Sequence, residues 1–305
     1  MRTRTLILNI LIFLLPSIIL VSIFLIYPIF YTIYLSFIDI DGSPVGFENF
    51  RKTLFRSDVL DFKRIRGFPS VSPPYGALVH NVIWIAIHLP ITTFLGLILA
   101  VLLRNVKGAS IIKAIIFMGM IIPLVVSGII IHFTFEKDTG IVNVFLGFLG
   151  IEPKSWLMYP ETALYTLALS SVWIWTGFSM VVYSAGLEAI PKELYEAAEI
   201  DGTGPIQKFF YITLPLLKPV TITVVTMTIL WELKIFDFVF SSTRGGPGGA
   251  TNVLALQIYF DYFFTIPSRP DLACSLASIL TLITLAVACI ALKPVIKIAV
   301  RRYAV

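Results

Sequence analysis

The side chains best placed to bind a polar ligand are ionisable residues inside an apolar stretch of the sequence. Glu232, Lys234 and Asp237 follow Trp231 near the end of an apolar segment over residues 219–240. Ionisable groups are costly in a bilayer unless they face protein or a water-filled path. An aromatic ring beside them suits a sugar, whose hydroxyls need hydrogen bonds and whose CH faces need a flat apolar surface. The pattern predicts a ligand path here, with a structural salt bridge between Lys234 and Asp237 as the alternative.

Trp175 is a further candidate for this path. It lies with Trp173 in an earlier apolar segment. Aromatic residues are common near the interfaces of any membrane protein, so the residue type alone does not distinguish a sugar contact from an interfacial anchor.

The sequence offers no pattern for catalysis, metal binding or ATP binding. His80, His88 and His132 are isolated, and none of them belongs to a cluster with Cys, Asp or Glu at the spacing of metal ligands. An intramembrane enzyme would need a paired nucleophile and base within the apolar segments, which the sequence does not offer. No phosphate-binding GxxxxGK[ST] loop occurs. We expect no cofactor on this chain, and any ATP and Mg²⁺ on a separate one.

The composition places the chain in a bilayer. Of its 305 residues, 57% are hydrophobic and only 13% are charged, and the mean hydropathy is +0.91. A soluble fold of this size could not bury so much apolar surface. The net charge of +5 is spread between long apolar runs, which argues against nucleic-acid binding because no basic stripe forms.

Six apolar stretches are long enough to cross a membrane. They cover residues 6–37, 78–103, 111–133, 161–187, 219–240 and 272–292. The first follows Arg2 and Arg4 as a signal peptide would, but it is too long for one and lacks a small-residue cleavage site. The prediction is an all-α membrane protein with six transmembrane helices in a single domain, residues 1–305.

The distribution of basic residues predicts the orientation of these spans. If the N-terminus is cytoplasmic, the inner segments hold 12 Lys and Arg in 59 positions, and the outer segments hold 10 in 97. Cytoplasmic loops carry the excess of basic residues, so both termini are predicted to be cytoplasmic. The basic residues between Arg51 and Arg66, in the first outer loop, weaken this bias.

The loop over residues 188–218, between the fourth and fifth spans, is polar and strongly patterned. Pro191 suits the first turn of a helix that continues to Ile200, and Gly202 stands where a left-handed terminating residue is needed. The loop is therefore predicted to form a helix, a tight turn and a second helix.

The second of these helices is predicted to begin at Pro205 and to be amphipathic. Phe209 lies on it, and Pro215 and Pro219 follow. Proline lacks the backbone N–H that a helix interior needs, so these prolines should break or redirect the helix before the fifth span.

The first helix of the loop carries an acidic face. Glutamates recur every three residues over 193–199, and Ala197 and Ala198 leave a low surface beside them. This pattern indicates a docking surface, with a solvated acidic face as the alternative. Glu199 and Asp201 favour docking, because negative charge is unfavourable at a helix C-terminus and local rules are more often broken at functional sites.

These residues resemble a known family. Glu196-Ala197-Ala198, Asp201-Gly202, Phe209, Ile212, Leu214, Pro215 and Pro219 resemble, in order and spacing, the EAA loop of binding-protein-dependent ABC transporter permeases. Thr203 departs from the family, which usually has Ala there. The resemblance implies a coupling helix that seats in a cleft of the ATP-hydrolysing subunit, with Glu196, Ala197, Ala198, Asp201, Gly202, Phe209 and Pro215 at the contact.

Further motifs narrow the resemblance to carbohydrate importers. They are Pro16 and Pro28 with Ser36-Phe37, residues 46–50 with Asn81, Trp173 and Trp175, Gly186-Leu187, Phe236-Asp237, and residues 245–248 with Ala250-Thr251. They resemble the first permease subunit, similar to the larger maltose permease and to the glycerol-phosphate and α-glucoside permeases.

This resemblance implies a type I ABC importer permease fold in a prokaryotic cell membrane, in contact with membrane lipid. It implies a sugar cargo, such as a di- or oligosaccharide or a related glycoside, delivered by an extracytoplasmic binding protein. The expected partners also include a second, homologous permease and two ATP-binding subunits. The alternative is an ion-coupled secondary carrier or channel, which would usually show more spans, an inverted repeat or broken helices with intramembrane acids.

Overall fold

The computed structural model describes residues 13–68 and 70–303, and every regular element in that part of the chain is helical. The first helices are α1 (Phe13–Leu35), α2 (Glu48–Leu54), α3 (Phe62–Arg66), α4 (Ala77–Leu102), α5 (Ala109–Ile121), α6 (Leu124–Thr134) and α7 (Ile141–Gly147). The remainder are α8 (Pro160–Ser170), α9 (Val172–Glu188), α10 (Lys192–Ile200), α11 (Pro205–Leu216), α12 (Lys218–Leu233), α13 (Asp237–Thr243), α14 (Leu254–Phe263) and α15 (Pro270–Tyr303).

Four helices of the described chain are long and apolar enough to cross a membrane. They are Phe13–Leu35, Ala77–Leu102, Pro160–Glu188 (α8 and α9 together) and Pro270–Lys293, the apolar part of α15. They correspond to the predicted first, second, fourth and sixth spans, although residues 6–12 lie outside the described chain. Two bent helix pairs raise the number to six if each pair is one span.

The third predicted span, residues 111–133, is not straight. Helices α5 and α6 meet at a bend of 95°. Pro123 supplies no N–H to continue α5, and Ile122 before it is extended, with φ −66° and ψ 129°, as residues preceding proline prefer to be. The apolar stretch predicted as the third span is therefore divided into two helices at Pro123.

The fifth predicted span, residues 219–240, is also interrupted. Helix α12 ends at Leu233 and α13 begins at Asp237. At its other end, α12 meets α11 at a bend of 64° between Leu216 and Lys218. The break at residues 234–236 was not predicted, since no proline or glycine marks it.

The described chain forms two compact units. One contains the described residues up to Arg56 together with Ile258–Leu282; the other contains Ser57–Gln257 and the chain from Ile283 onward. In the first unit, Nη2 of Arg56 lies 2.9 and 3.0 Å from the two carboxylate oxygens of buried Asp261. The second unit holds the predicted functional residues.

Helices α4 and α9 cross closely within the second unit. A Cβ added to Gly96 of α4 would lie 2.3 Å from Cβ of Ser179 on α9. Small residues let the backbones of membrane helices approach, and here glycine is what permits the crossing. Around it, buried residues of α4, α9 and α12 form one apolar core, including Leu97, Met180, Leu187 and Val224.

Candidate functional site

The loop over residues 188–218 folds as a helix, a turn and a helix, as predicted. Helix α10 ends in a Schellman motif, in which the N–H of Gly202 donates to the Glu199 carbonyl and that of Thr203 to the Ala198 carbonyl, both at 3.0 Å. Gly202 has φ +74°, the left-handed conformation that the turn requires. The Thr203 hydroxyl donates a second bond to the Ala198 carbonyl, at 2.5 Å. Thr203, the departure from the EAA pattern, therefore adds a bond to the turn.

Side-chain contacts attach α10 to the rest of the second unit. The hydroxyls of Tyr195 and Thr213 are 2.9 Å apart, which links α10 to α11. The Arg104 guanidinium lies 4.7 Å from the centre of the Tyr195 ring and donates to the Leu187 carbonyl at 3.4 Å. The inner face of α10 is thus held to the neighbouring helices, and its outer face remains exposed.

The exposed face of α10 combines acidic and apolar side chains. Glu193, Glu196 and Ala197 are exposed, and Ile200 is 87% exposed; we call these four residues the docking face. Ala198 is buried, so the prediction that it shares the low outer surface with Ala197 was wrong. The 3.6-residue helical period turns Ala198 inward.

The remaining loop residues predicted to contact a partner are divided between surface and interior. Asp201, Gly202 and Pro215 are exposed, whereas Phe209 packs against the apolar core. Glu199 is partnered by Lys208, whose Nζ lies 2.6 Å from its carboxylate. This ion pair offsets part of the unfavourable interaction between the Glu199 charge and the C-terminal end of α10. The position of Glu199 is therefore weaker evidence for a docking surface than the sequence suggested.

A cavity of about 320 Å³ lies where α12 breaks. Its lining consists of Met120, Leu124, Ile174, Trp175, Trp231, Lys234, Ile235, Phe236 and Asp237. Four of the five predicted path residues meet in this cavity, namely Trp175, Trp231, Lys234 and Asp237. We call it the tryptophan cavity. Two indole rings and two groups of opposite charge give it both flat apolar surface and hydrogen-bonding capacity.

The helix break determines how the charged residues face the cavity. Lys234 follows the last residue of α12, and Phe236, with φ −136° and ψ −64°, redirects the chain before Asp237 opens α13. Lys234 and Asp237 therefore do not share one helix face, and within the described chain they form no ion pair with each other. The alternative of a structural salt bridge is not supported by this geometry.

Glu232, the fifth predicted path residue, does not line the cavity. Its side chain is 1% exposed and its carboxylate pairs with Nδ1 of His88 on α4, which is fully buried. The backbone carbonyl of Glu232 accepts a bond of 2.9 Å from Nδ2 of Asn81. Glu232 lies outside the cavity because consecutive residues of a helix point about 100° apart, and Trp231 occupies the cavity side.

The break at residues 234–236 and the segment that follows α13 are tied to α4. Oδ1 of Asn81 accepts the N–H of Leu254 at 2.9 Å. His80 accepts the N–H of Tyr75 at Nε2, 2.9 Å away, and its Nδ1 lies 2.7 Å from the Asn252 carbonyl. Since a carbonyl only accepts, Nδ1 of His80 carries the proton. The start of α4 thus holds the segment between α13 and α14 in place.

Comparison with known proteins decides the family. Residues 92–305 match the family described as the binding-protein-dependent transport system inner membrane component. The chain belongs to this family. A probable ABC transporter permease of Pyrococcus horikoshii is 55% identical over 255 residues, which cover 82% of this permease and 86% of that protein. The lactose transport system permease of Rhizobium radiobacter is 33% identical over 262 residues, 84% of each chain.

A solved structure supports the fold of the permease. A chain of a bacterial ABC transporter involved in import of the acidic polysaccharide alginate aligns with a TM-score of 0.77 and 23% identity, over 95% of this permease and 94% of that chain. The all-helical architecture is thus that of an ABC importer permease. The permease is a multi-pass membrane transport subunit and not an enzyme.

Two residues of the site were not assigned from the sequence. Asn81 was noted only as part of a family motif, and His88 was noted only as an isolated histidine. His88 is separated from Glu232 by 144 positions, and no local pattern connects residues so far apart. The signal in the sequence is that His88 and Glu232 both lie in apolar stretches, where a buried ionisable group needs a partner.

Proposed function

We propose that this permease is the transmembrane subunit of an ATP-driven importer and that it passes a sugar through the tryptophan cavity. The observation that carries the proposal is the meeting of Trp175, Trp231, Lys234 and Asp237 around one cavity of about 320 Å³. Indole rings suit the CH faces of a sugar, and the ammonium and carboxylate suit its hydroxyls. Permeases named for lactose transport and for trehalose/maltose transport are among its relatives, which favours a di- or oligosaccharide or a related glycoside.

The loop over residues 188–218 is the proposed site of coupling to ATP hydrolysis. The docking face would seat in a cleft of an ATP-binding subunit, and Asp201 and Gly202 would set the angle of the turn beside it. The Tyr195–Thr213 bond would transmit the motion of that subunit to α11, and Arg104, which contacts Tyr195 and donates to the Leu187 carbonyl, would transmit it to α9. ATP and Mg²⁺ would be bound by two such subunits, with none on this chain.

The proposed assembly also contains a second, homologous permease and an extracytoplasmic sugar-binding protein. In this proposal the bent pair of α5 and α6 is one span, and α12 without α11 is another, which gives six spans of the type I importer fold. Both termini and the coupling loop lie in the cytoplasm of a prokaryotic cell, as the basic residues indicate. The tryptophan cavity then lies beyond the end of α12 that is remote from the coupling loop.

The family match supports an ATP-driven importer and gives no support to an ion-coupled carrier or channel. Broken helices, which we associated with carriers, do occur at residues 122–123 and 234–236. They are therefore features of this permease and do not distinguish the two classes.

The sugar path is tested by Trp231→Ala in the full complex reconstituted with its binding protein. The sugar is first chosen from a panel of trehalose, maltose and lactose by the rise in melting temperature of the complex. We expect Trp231→Ala to reduce uptake of that sugar far more than basal ATP hydrolysis. Trp173→Ala, which removes an indole outside the cavity, is the control. Equal loss of uptake and ATP hydrolysis in Trp231→Ala would indicate a structural role and contradict the proposed path.

A further inference from the structure

The most unusual buried contact of the second unit is the pair formed by His88 and Glu232. The two side chains are 0% and 1% exposed, lie on α4 and α12, and meet through Nδ1 and Oε1. Nε2 of His88 and Oε2 of Glu232 have no hydrogen-bond partner among the described residues. A buried pair of this kind is costly to desolvate, and two apolar side chains would often stabilise a fold equally well. Stability alone therefore gives no reason for the pair.

One side of the pair supports a wall of the tryptophan cavity. The His88 ring lies edge-on against the Trp175 ring, with 5.2 Å between ring centres and an angle of 90°. Trp175 lines the cavity, whereas His88 does not. Because Nδ1 of His88 is held by Glu232, the imidazole cannot rotate freely. The Trp175 indole therefore packs against a ring of fixed orientation.

The other side of the pair lies at the helix break, whose residues Lys234, Ile235 and Phe236 also line the cavity. Glu232 is in the last turn of α12, two residues before Lys234. Its carbonyl accepts the N–H of Ile235 at 3.3 Å and Nδ2 of Asn81 at 2.9 Å. The side chain and the carbonyl of one residue thus both bond to α4, immediately before the chain turns to present Lys234 and Asp237.

We propose that His88 and Glu232 are positioning residues for the sugar in the tryptophan cavity. Neither side chain touches the cargo. Together they hold Trp175 and the end of α12 at a fixed separation. This inference rests on the proposed function, because it assumes that the cavity receives the sugar.

The decisive variant replaces both members of the pair, His88→Leu with Glu232→Leu. Removing both leaves neither member of the pair buried without the other, so the fold is preserved better than in a single deletion. We expect the apparent KM for uptake of the selected trehalose, maltose or lactose to rise roughly tenfold or more, because small misplacements of a binding group are costly. Maximal uptake and basal ATP hydrolysis should change by less than about twofold, as expected when binding is weakened and the later steps are intact.

Two single variants keep the inference testable if the double variant does not assemble. Glu232→Gln keeps an oxygen that can pair with Nδ1 of His88, so its KM should stay close to that of the unmodified permease. His88→Asn keeps a nitrogen donor for Glu232 but removes the ring edge from Trp175, so its KM should rise. An unchanged KM in either the double variant or His88→Asn would overturn the proposed positioning role.

Tyr183→Phe is the matched control for loss of one interhelical bond. The Tyr183 hydroxyl on α9 donates to Oγ1 of Thr221 on α12 at 3.2 Å, away from the cavity, and its loss should leave the KM unchanged. Trp231→Ala separates the two proposals. If Trp231→Ala raises the KM and the His88 and Glu232 variants do not, only the positioning role fails. If Trp231→Ala leaves the KM unchanged, the proposed sugar path fails, and the positioning role with it.

Discussion

The phenolic oxygen of Tyr195 lies 2.9 Å from Oγ1 of Thr213, so a side-chain hydrogen bond joins the two helices of the loop over residues 188–218. The Arg104 guanidinium covers the Tyr195 ring from the other side. The exposed docking face is therefore carried by a helix whose inner face is fixed in two directions. In the proposed coupling, a force on that face would reach α11 through the Tyr195–Thr213 bond and the segment after α4 through Arg104.

Removing this hydrogen bond should loosen the coupling between uptake and ATP hydrolysis. Tyr195→Phe keeps the ring under Arg104 and deletes only the hydroxyl, with an expected loss of about 1 kcal/mol in the free energy that holds α10 to α11. We expect less sugar taken up per ATP hydrolysed by the reconstituted complex. Tyr211 lies in the same loop and is 80% exposed. Tyr211→Phe, which removes its hydroxyl, should leave the ratio of uptake to ATP hydrolysis unchanged. An unchanged ratio in Tyr195→Phe would show that the bond transmits no motion.

The turn after α10 should be destabilised by any side chain at Gly202, because of the backbone conformation there. A Cβ on Gly202 would meet no atom of the described residues within 4 Å, but the φ of +74° at this position is unfavourable for any L-residue with a side chain. Gly202→Ala is expected to cost about 1 kcal/mol and to weaken co-purification of the ATP-binding subunit.

Gly204→Ala provides the control for this prediction. Gly204 lies in the same turn with φ −73°, and the nearest atom to an added Cβ is 4.0 Å away. Its variant should co-purify with the ATP-binding subunit at the unmodified level. Equal behaviour of the two alanine variants would show that the left-handed conformation at Gly202 is not required.

Charge reversal on the docking face should abolish association with the ATP-binding subunit. Glu196 is exposed in the centre of that face, so Glu196→Lys leaves no buried group unpaired, and the permease should still insert into the membrane. The measurement is the amount of ATP-binding subunit recovered with a tagged permease. Glu152→Lys makes the same charge change on an exposed residue between α7 and α8 and should leave recovery unchanged. Full recovery with Glu196→Lys would support a merely solvated acidic face.

The crossing of α4 and α9 should not tolerate a methyl group. The Cβ of Gly96→Ala would lie 2.3 Å from the Ser179 Cβ and 2.8 Å from the Met180 backbone nitrogen. Overpacking of this kind costs typically about 1–3 kcal/mol, so the melting temperature of the purified permease should fall. Gly147→Ala, where an added Cβ meets no atom within 4 Å, should melt like the unmodified protein. A melting temperature unaffected by Gly96→Ala would mean that the two helices can separate without loss of stability.

Features that depend on neighbours in the chain were predictable from the sequence. Apolar length predicted the bounds of α4 and of the span Pro160–Glu188 to within one residue. Pro191 and Gly202 predicted the bounds of α10. The Schellman turn followed in the same way, since its bonds join residues no more than five positions apart. The fourth and fifth apolar segments also supplied Trp175, Trp231, Lys234 and Asp237 as candidates.

Features that depend on distant parts of the chain were decided only by the tertiary structure. The sequence placed Glu232 beside Trp231, but packing against α4 turned its carboxylate to His88, and the break after Leu233 separated Lys234 from Asp237 as a possible pair. That break has no proline or glycine; it coincides with bonds from Asn81 to the Glu232 carbonyl and to Leu254, 151 and 173 positions away. Helical periodicity limits which residues can share a face, whereas only the packing of helices determines which face meets a cavity and which meets another helix.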